Sequence, residues 1–385
     1  MRSIDPADPE APIRLAGILH RIPGADGVVL SRLSAAAHRQ AVDPVLLWTA
    51  GLPSGARIEA VSDTTSIEVE LLITRLAYGE EPPRPAMLDL VIDGELVAGE
   101  AADGGHILRF PSRTTMDFEL EPGDPTTVRF DGLPAGEKHL QVWLPANASV
   151  ALRDVRVDDG ASVVPAAPTG RRWVHYGSSI SHCTEADRPT GVWPVIVARR
   201  AGVDLQSLAI AGQAHLDQFA ARTIRDLDVD LISLKVGINV VNGDTMRERT
   251  FVPAVHGFLD TIRDGHPDAP IVLVSPIVCP VVEDHPGPTM NDAAGMCRAL
   301  EPAPGDLPGA LTLRRIRTLL AEVVASRVAD GDERLTYLDG LELFGPDDVD
   351  LLPDGLHPDP EGYGRMAERF YERAFGSDGP FAGGG

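Results

Sequence analysis

The chain has 385 residues, 43% hydrophobic and 24% charged, the balance of a soluble globular protein long enough for two domains with separate cores. Its formal net charge of −23 opposes association with nucleic acid or anionic lipid. No stretch approaches the roughly 20 apolar residues of a membrane span. The opening Met1-Arg2-Ser3-Ile4-Asp5-Pro6 lacks the apolar centre of a signal peptide. The cysteines Cys183, Cys279 and Cys297 are too scattered for a disulfide framework or a zinc site, so a reducing, cytoplasmic setting and no bound metal are expected.

From about Val28 to Val157 the pattern is one of short apolar or alternating runs between turn residues. Residues 66–73 alternate as a half-buried strand does. Residues 87–92 and 95–97, joined by Asp93-Gly94, read as a hairpin, because that dipeptide tolerates the positive φ of a tight turn. Residues 127–130, 138–144 and 150–157 continue the series. Many short strands with few helical patterns predict an antiparallel β-sandwich over residues 1–165. His20, His38, His106 and His139 are scattered through it without a catalytic grouping, and Trp48 and Trp143 read as core. Residues 160–170, rich in small residues and proline, read as the linker.

After Arg171 the rhythm changes. Apolar strands are predicted at 173–176, 205–210, 231–236, 271–277 and 335–338, with helical patterns at 194–201, 216–227, 250–263 and 313–328 between them. This alternation predicts an α/β domain over 171–378 with a parallel sheet covered on both faces. In such sheets ligands bind beyond the carboxyl ends of the strands.

Polar residues gather at those ends. The first strand runs into Gly177-Ser178-Ser179, the second into Ala211-Gly212-Gln213 and the third into Gly237-Ile238-Asn239. Late in the chain, Asp354-Gly355-Leu356-His357-Pro358 precedes a helix with Asp359 as N-cap and Pro360 at its first position. A serine hydroxyl is a weak nucleophile until a base removes its proton, and His357 suits that task near neutral pH. Asp354, three residues earlier on the same turn, would hold the imidazole in the required tautomer. The N–H groups of Ser179 and Gly212 and the side-chain amide of Asn239 would receive the oxyanion of a tetrahedral intermediate.

These blocks, Gly177-Ser178-Ser179-Ile180-Ser181, Gly212, Asn239 and Asp354-x-x-His357, resemble in kind and order those of the SGNH, or GDSL, hydrolase superfamily. The resemblance covers roughly residues 171–375. It implies a flavodoxin-like catalytic domain with a five-stranded parallel sheet, Ser179 as nucleophile, Gly212 and Asn239 as oxyanion donors, and Asp354 and His357 as the acid–base pair. Two positions depart from the pattern: Ser178 stands where aspartate usually precedes the nucleophile, and Val240 where aspartate often follows the asparagine. The whole chain also resembles two-domain members with an N-terminal, jelly-roll-like sandwich. Among these are bacterial carbohydrate esterases and actinomycete acyltransferases that tailor aromatic polyketides of the tetracycline type from an acyl-CoA donor.

The expected activity is therefore serine-dependent O-acyl transfer through an acyl-Ser179 intermediate. The partners would be a small-molecule acyl donor, with acyl-CoA as co-substrate, and a hydroxyl acceptor; no cofactor is implied. A carbohydrate or small-ester esterase of the same chemistry is the alternative. A non-catalytic binding protein would not need the full set of Ser179, Asn239, Asp354 and His357. Around the motifs, His175, His182 and His215 read as structural or solvent-facing, Cys183 as a buried thiol, and Trp193 as pocket lining or helix packing. Asp187 and Arg188 lie in the loop after the nucleophile. Residues 281–309, with five prolines and no periodicity, read as a loop shaping the acceptor pocket.

Overall fold

The computed structural model describes residues 1–115, 117–301 and 308–383. The chain divides into two compact units, one of Met1–Thr169 with Ala186–Val195, the other of Gly170–Glu185 with Ile196–Gly385.

The first unit holds an eight-stranded and a six-stranded sheet. The long strand Ser66–Tyr78 pairs antiparallel with Ala148–Val157 and Thr126–Asp131, and parallel with His106–Phe110, a pairing that local alternation does not encode. Along it Val69, Leu71 and Ile73 point inward, joining Val150 and Leu152 of the same sheet and Ile58, Leu88, Leu90 and Val142 of the other in one core. Full burial of each such side chain is worth about 1.5–3 kcal/mol, which fixes the register of both sheets. The predicted hairpin forms between Ala86–Ile92 and Glu95–Ala102, with Asp93 at φ 50 and Gly94 at φ 88.

Two local expectations are corrected. Part of the stretch read as linker is an edge strand, Val163–Pro165, on Arg57–Ser62; at an edge Pro165 forfeits no ladder bond. Two short helices, Ala35–Gln40 and Pro44–Ala50, are too brief to show periodicity, although their caps Ser34 and Asp43 are strong local signals. Within this unit the fully buried carboxylate of Asp89 accepts from Arg188 Nη2 (2.8 Å), Thr190 Oγ1 (2.6 Å) and Thr190 N (3.0 Å). The guanidinium fits only because position 99 is glycine: a Cβ there would lie 2.4 Å from Arg188 Nη2.

The second unit is an α/β fold. Its main elements in chain order are β1 (Arg172–Gly177), α1 (Ser179–His182), α2 (Trp193–Ala201, whose first three residues count with the first unit), β2 (Asp204–Ala209), α3 (Gln218–Asp226), β3 (Leu231–Lys235), α4 (Ile238–Asn242), α5 (Glu248–Gly265), β4 (Ile271–Val274), α6 (Leu313–Ala329), β5 (Leu335–Leu338) and α7 (Pro360–Phe370). All five strands are parallel, in the order β2-β1-β3-β4-β5, the flavodoxin-like arrangement. Strand β4 stops at Val274 rather than at 277, because Pro276 has no N–H for the ladder. Residues 281–301 are not wholly irregular: Thr289–Asn291 and Cys297–Ala299 pair as a hairpin, while 302–307 lie outside the described residues. Among the described residues no helix is long and apolar enough to cross a membrane.

Candidate active site

The parallel sheet delivers residues 177–179, 210–213 and 236–239 to its carboxyl end. At the first of these the chain turns from β1 into the one-turn helix α1. Ser178 caps that helix, its hydroxyl accepting from Ile180 N at 3.4 Å. Capping explains why serine serves where the family pattern has aspartate, since both accept from the first turn. Ser178 and Ser181 are fully buried, whereas Ser179 between them is only half-buried. Of the three hydroxyls, that of Ser179 alone meets solvent.

Ser179 Oγ lies 2.8 Å from His357 Nε2, and His357 Nδ1 lies 2.6 Å from Asp354 Oδ2. The other carboxylate oxygen of Asp354 accepts the backbone N–H groups of Leu356 (2.8 Å) and His357 (2.7 Å), folding 354–357 into a turn in which Gly355 takes φ 81. Asp359 then caps α7 by accepting from Gly362 N, as the sequence predicts, which fixes the histidine turn against a helix start. Burial opposes ionisation of Asp354, but the hydrogen bond and charge of His357, with the backbone N–H groups of His357 and Leu356, together outweigh it and hold the carboxyl below its usual range. Burial likewise disfavours protonated His357; the charge of Glu185, then the bond and charge of Asp354, reverse this and push it up to about 9.

Asn239 sits in the first turn of α4, after Gly237 at φ 112, where a Cβ would strike Ile316 at 2.6 Å. Its Oδ1 accepts from Ala214 N at 3.0 Å, which leaves its NH₂ group to donate and ties α4 to the loop carrying Gly212. Gly212 is exposed at φ 71, a conformation other residues adopt only under strain. Its carbonyl accepts from His215 Nε2 at 3.1 Å, and His215 Nδ1 accepts from Thr245 Oγ1 at 3.0 Å. His215 is therefore a brace of that loop. Ser179, His357 and Asp354 thus form one hydrogen-bonded chain, and Asn239 and the Gly212 loop form a second joined group.

Sequence reading assigned Glu185 and Lys235 no role and His175 only a structural or solvent-facing one. Beneath α1, His175 Nε2 meets Ser181 Oγ at 2.8 Å and His175 Nδ1 meets Ser233 Oγ at 2.7 Å, while Trp173 Nε1 donates to Ser233 at 2.9 Å. All four side chains are fully buried, and burial pushes His175 down to about 3, with nearby Lys235 adding to it. Lys235, at the end of β3, is itself pushed down to about 7 by burial, and its Nζ has no hydrogen-bond partner among the described residues. Glu185 accepts from Tyr363 Oη of α7 at 2.8 Å. Spacing could not reveal these contacts, since their partners meet only through the sheet. His182, Cys183 and Trp193 are buried, and Asp187 is exposed. Cys297 N donates to Asp354 O at 2.8 Å, so the hairpin of the 281–301 stretch abuts the Asp354 turn.

A half-exposed serine bonded to a carboxylate-held imidazole at the carboxyl end of a parallel sheet is an arrangement able to support nucleophilic acyl transfer. Residues 175–365 match the GDSL-like lipase/acylhydrolase family, and this part of the chain is a domain of that family. No curated protein matches the chain in sequence. Among solved structures the chain is similar to the salicylyl-acyltransferase SsfX3 from a tetracycline biosynthetic pathway, at 28% identity and TM-score 0.78 over 96% of this chain and 95% of that one. It also shares its fold with a family two carbohydrate esterase from Cellvibrio japonicus (14% identity, TM-score 0.56, 96% and 95% of the two chains). The acetyl xylan esterase Est2A from Butyrivibrio proteoclasticus has the same fold (12% identity, TM-score 0.52, 97% of each chain).

Proposed function

We propose that this protein is a serine-dependent O-acyltransferase that moves an acyl group from a thioester donor of the acyl-CoA type, through acyl-Ser179, onto a hydroxyl of a small molecule such as a glycosylated polyketide. The observation that carries the reading is the Ser179–His357–Asp354 hydrogen-bond chain. The end-to-end likeness to the salicylyl-acyltransferase SsfX3 supports transfer over hydrolysis.

In the first half-reaction Ser179 Oγ attacks the thioester carbonyl carbon while His357 Nε2 takes the hydroxyl proton. Asp354 accepts the Nδ1–H bond and stabilises the imidazolium. The N–H groups of Ser179 and Gly212 and the NH₂ of Asn239 receive the oxyanion. The C–S bond breaks, and the thiolate leaves with the proton from His357. In the second half the acceptor O–H gives its proton to His357, its oxygen attacks the acyl carbon, and the Ser179 ester bond breaks as the proton returns to Ser179. Water is concentrated everywhere, so the acceptor must win by position. The hairpin beside Asp354, with Met290 49% and Leu300 39% exposed, supplies apolar surface suited to holding a planar acceptor.

The esterase reading differs only in the final acceptor, and the shared fold of the carbohydrate esterases favours it. Intact-mass measurement after exposure to a panel of acyl-CoA thioesters separates the two. The transferase should gain one acyl mass, lost in Ser179→Ala, and discharge it faster when an acceptor is added. No label, with efficient hydrolysis of sugar acetates, would install the esterase instead.

A further inference from the structure

We propose that Glu185 is a positioning residue for this chemistry, a second carboxylate that, through Tyr363, ties the segment leaving the nucleophile helix to the helix that follows His357 and acts on the imidazole by its charge. The proposal rests on the reading of Ser179 and His357 as nucleophile and base. Cys183, left-handed at φ 57, ends the nucleophile helix and leads directly into Thr184 and Glu185. Thr184 Oγ1 donates to Glu185 Oε1 at 2.6 Å and Tyr363 Oη donates to Glu185 Oε2 at 2.8 Å, so both carboxylate oxygens are held. Tyr363 is fully buried, and burial together with the Glu185 charge keeps its phenol well above its ordinary range, a donor at every working pH.

The two cross-links run in parallel. Ser179 pairs with His357 across 178 residues, and Glu185 pairs with Tyr363 across the same 178. Six residues beyond nucleophile and base, the same two segments are tied again, by a contact whose acceptor is charged. Gly362 permits the second tie, because a Cβ there would lie 2.9 Å from both Phe344 and Pro358 and lift this turn of α7 from its bed. Glu185 is only half-exposed, so its charge reaches the imidazole through a medium less polarisable than water. Its charge favours the protonated imidazole more than either the hydrogen bond or the charge of Asp354 taken singly.

The other titratable groups of this neighbourhood are Asp354 on the histidine's own turn, Tyr363 on α7, Cys183 at the end of α1, Cys297 on the hairpin beside Asp354, and Lys235 on β3. Burial raises Cys297, keeping its thiol neutral. Lys235 is of opposite sign to Glu185, and its field falls on Cys183 and His175.

The test is a titration of the ¹⁵N-labelled imidazoles by NMR, with the His357 signal identified by its loss in His357→Asn. Glu185→Gln keeps the shape and an acceptor for Tyr363 while removing the charge. It should lower the His357 midpoint by about one pH unit or more, with the acid limb of kcat/KM for a small activated ester moving equally and KM unchanged. Tyr363→Phe, which keeps the charge, should shift the midpoint less and lower kcat. Should Glu185→Gln not fold, Glu185→Asp must still shift the midpoint in the same direction by a smaller amount. An unmoved midpoint in the folded variant overturns the proposal, and equal loss of activity at every pH would mark Glu185 as a fastening only. Because the titration needs no substrate, a shifted midpoint without Ser179-dependent turnover would overturn the proposed function and leave the hold of Glu185 on His357 intact.

Discussion

Two serine–histidine pairs lie two residues apart along one short helix, each with Oγ 2.8 Å from an imidazole Nε2, yet they are chemical opposites. Ser179 faces His357, whose far nitrogen meets a carboxylate and whose side chain is 17% exposed. Ser181 faces His175, whose far nitrogen meets the Ser233 hydroxyl with no exposure at all. Trp173 also donates to Ser233, and the two groups that meet the His175 ring nitrogens are neutral hydroxyls, neither of them a carboxylate. At His357 a carboxylate stands behind the ring: Nδ1–H donates to Asp354, and Nε2 faces the Ser179 hydroxyl. A serine beside a histidine is therefore not yet a nucleophile; the partner behind the ring and access to substrate decide.

The largest effect should come from removing each hydroxyl in turn. Ser179→Ala should abolish turnover of a fluorogenic ester, while Ser181→Ala, the same deletion two residues on, should keep kcat within a few-fold. The opposite pattern would exchange the roles of the pairs. Next, Asp354→Asn makes the far partner of His357 a neutral amide, as the far partner of His175 is a neutral hydroxyl, and should lower kcat by about 10⁴-fold. Asn239→Ala leaves both pairs intact and removes the proposed oxyanion donor, one used mainly in the transition state. A fall in kcat of about 10²–10³-fold with little change in KM is expected from steady-state kinetics.

The two histidines also predict opposite pH behaviour. The proposed mechanism needs neutral His357, so kcat/KM should climb with pH, about tenfold per unit, until it levels near 9. For stability, a midpoint raised to about 9 means a contribution that is full below the unfolded value of about 6.5 and is lost as pH rises through 9. His175, depressed to about 3, contributes stability above about 6.5 that is lost progressively as pH falls towards 3. Urea unfolding followed against pH should show His175→Phe flattening the acid side of the curve. The same variant strands the Ser181 and Ser233 hydroxyls and should cost about 1–3 kcal/mol at neutral pH, the smallest effect in the series.

What sequence could and could not disclose follows the same division. The Asp93-Gly94 hairpin, the five parallel strands and the turn from Asp354 to His357 are local in origin: turn chemistry, apolar runs and a three-residue spacing write them directly into the chain. The parallel pairing of His106–Phe110 with Ser66–Tyr78, the membership of residues 186–195 in the first unit, and the hairpin within 281–301 depend on partners distant in sequence. So do the roles of Glu185, His175 and Lys235. Nothing local distinguishes His175, sealed in a core between hydroxyls, from His357, partly exposed and backed by a carboxylate, until the sheet brings Ser233 to one and the 354–357 turn brings Asp354 to the other.

Gly177 carries a consequence for anyone altering this protein. A Cβ at 177 would stand 2.5 Å from Ser181 Oγ and 3.2 Å from His175 Nε2. The glycine that opens the nucleophile motif is thus demanded by the buried pair below the helix, and not by the reacting serine. Substitutions at the two places should show strong epistasis: Gly177→Ala, damaging alone, should be partly rescued by Ser181→Gly, which clears the colliding hydroxyl. A library that randomises position 177 with 181 held fixed will return almost only glycine, whereas one that varies both opens a route to reshaping the floor beneath the nucleophile.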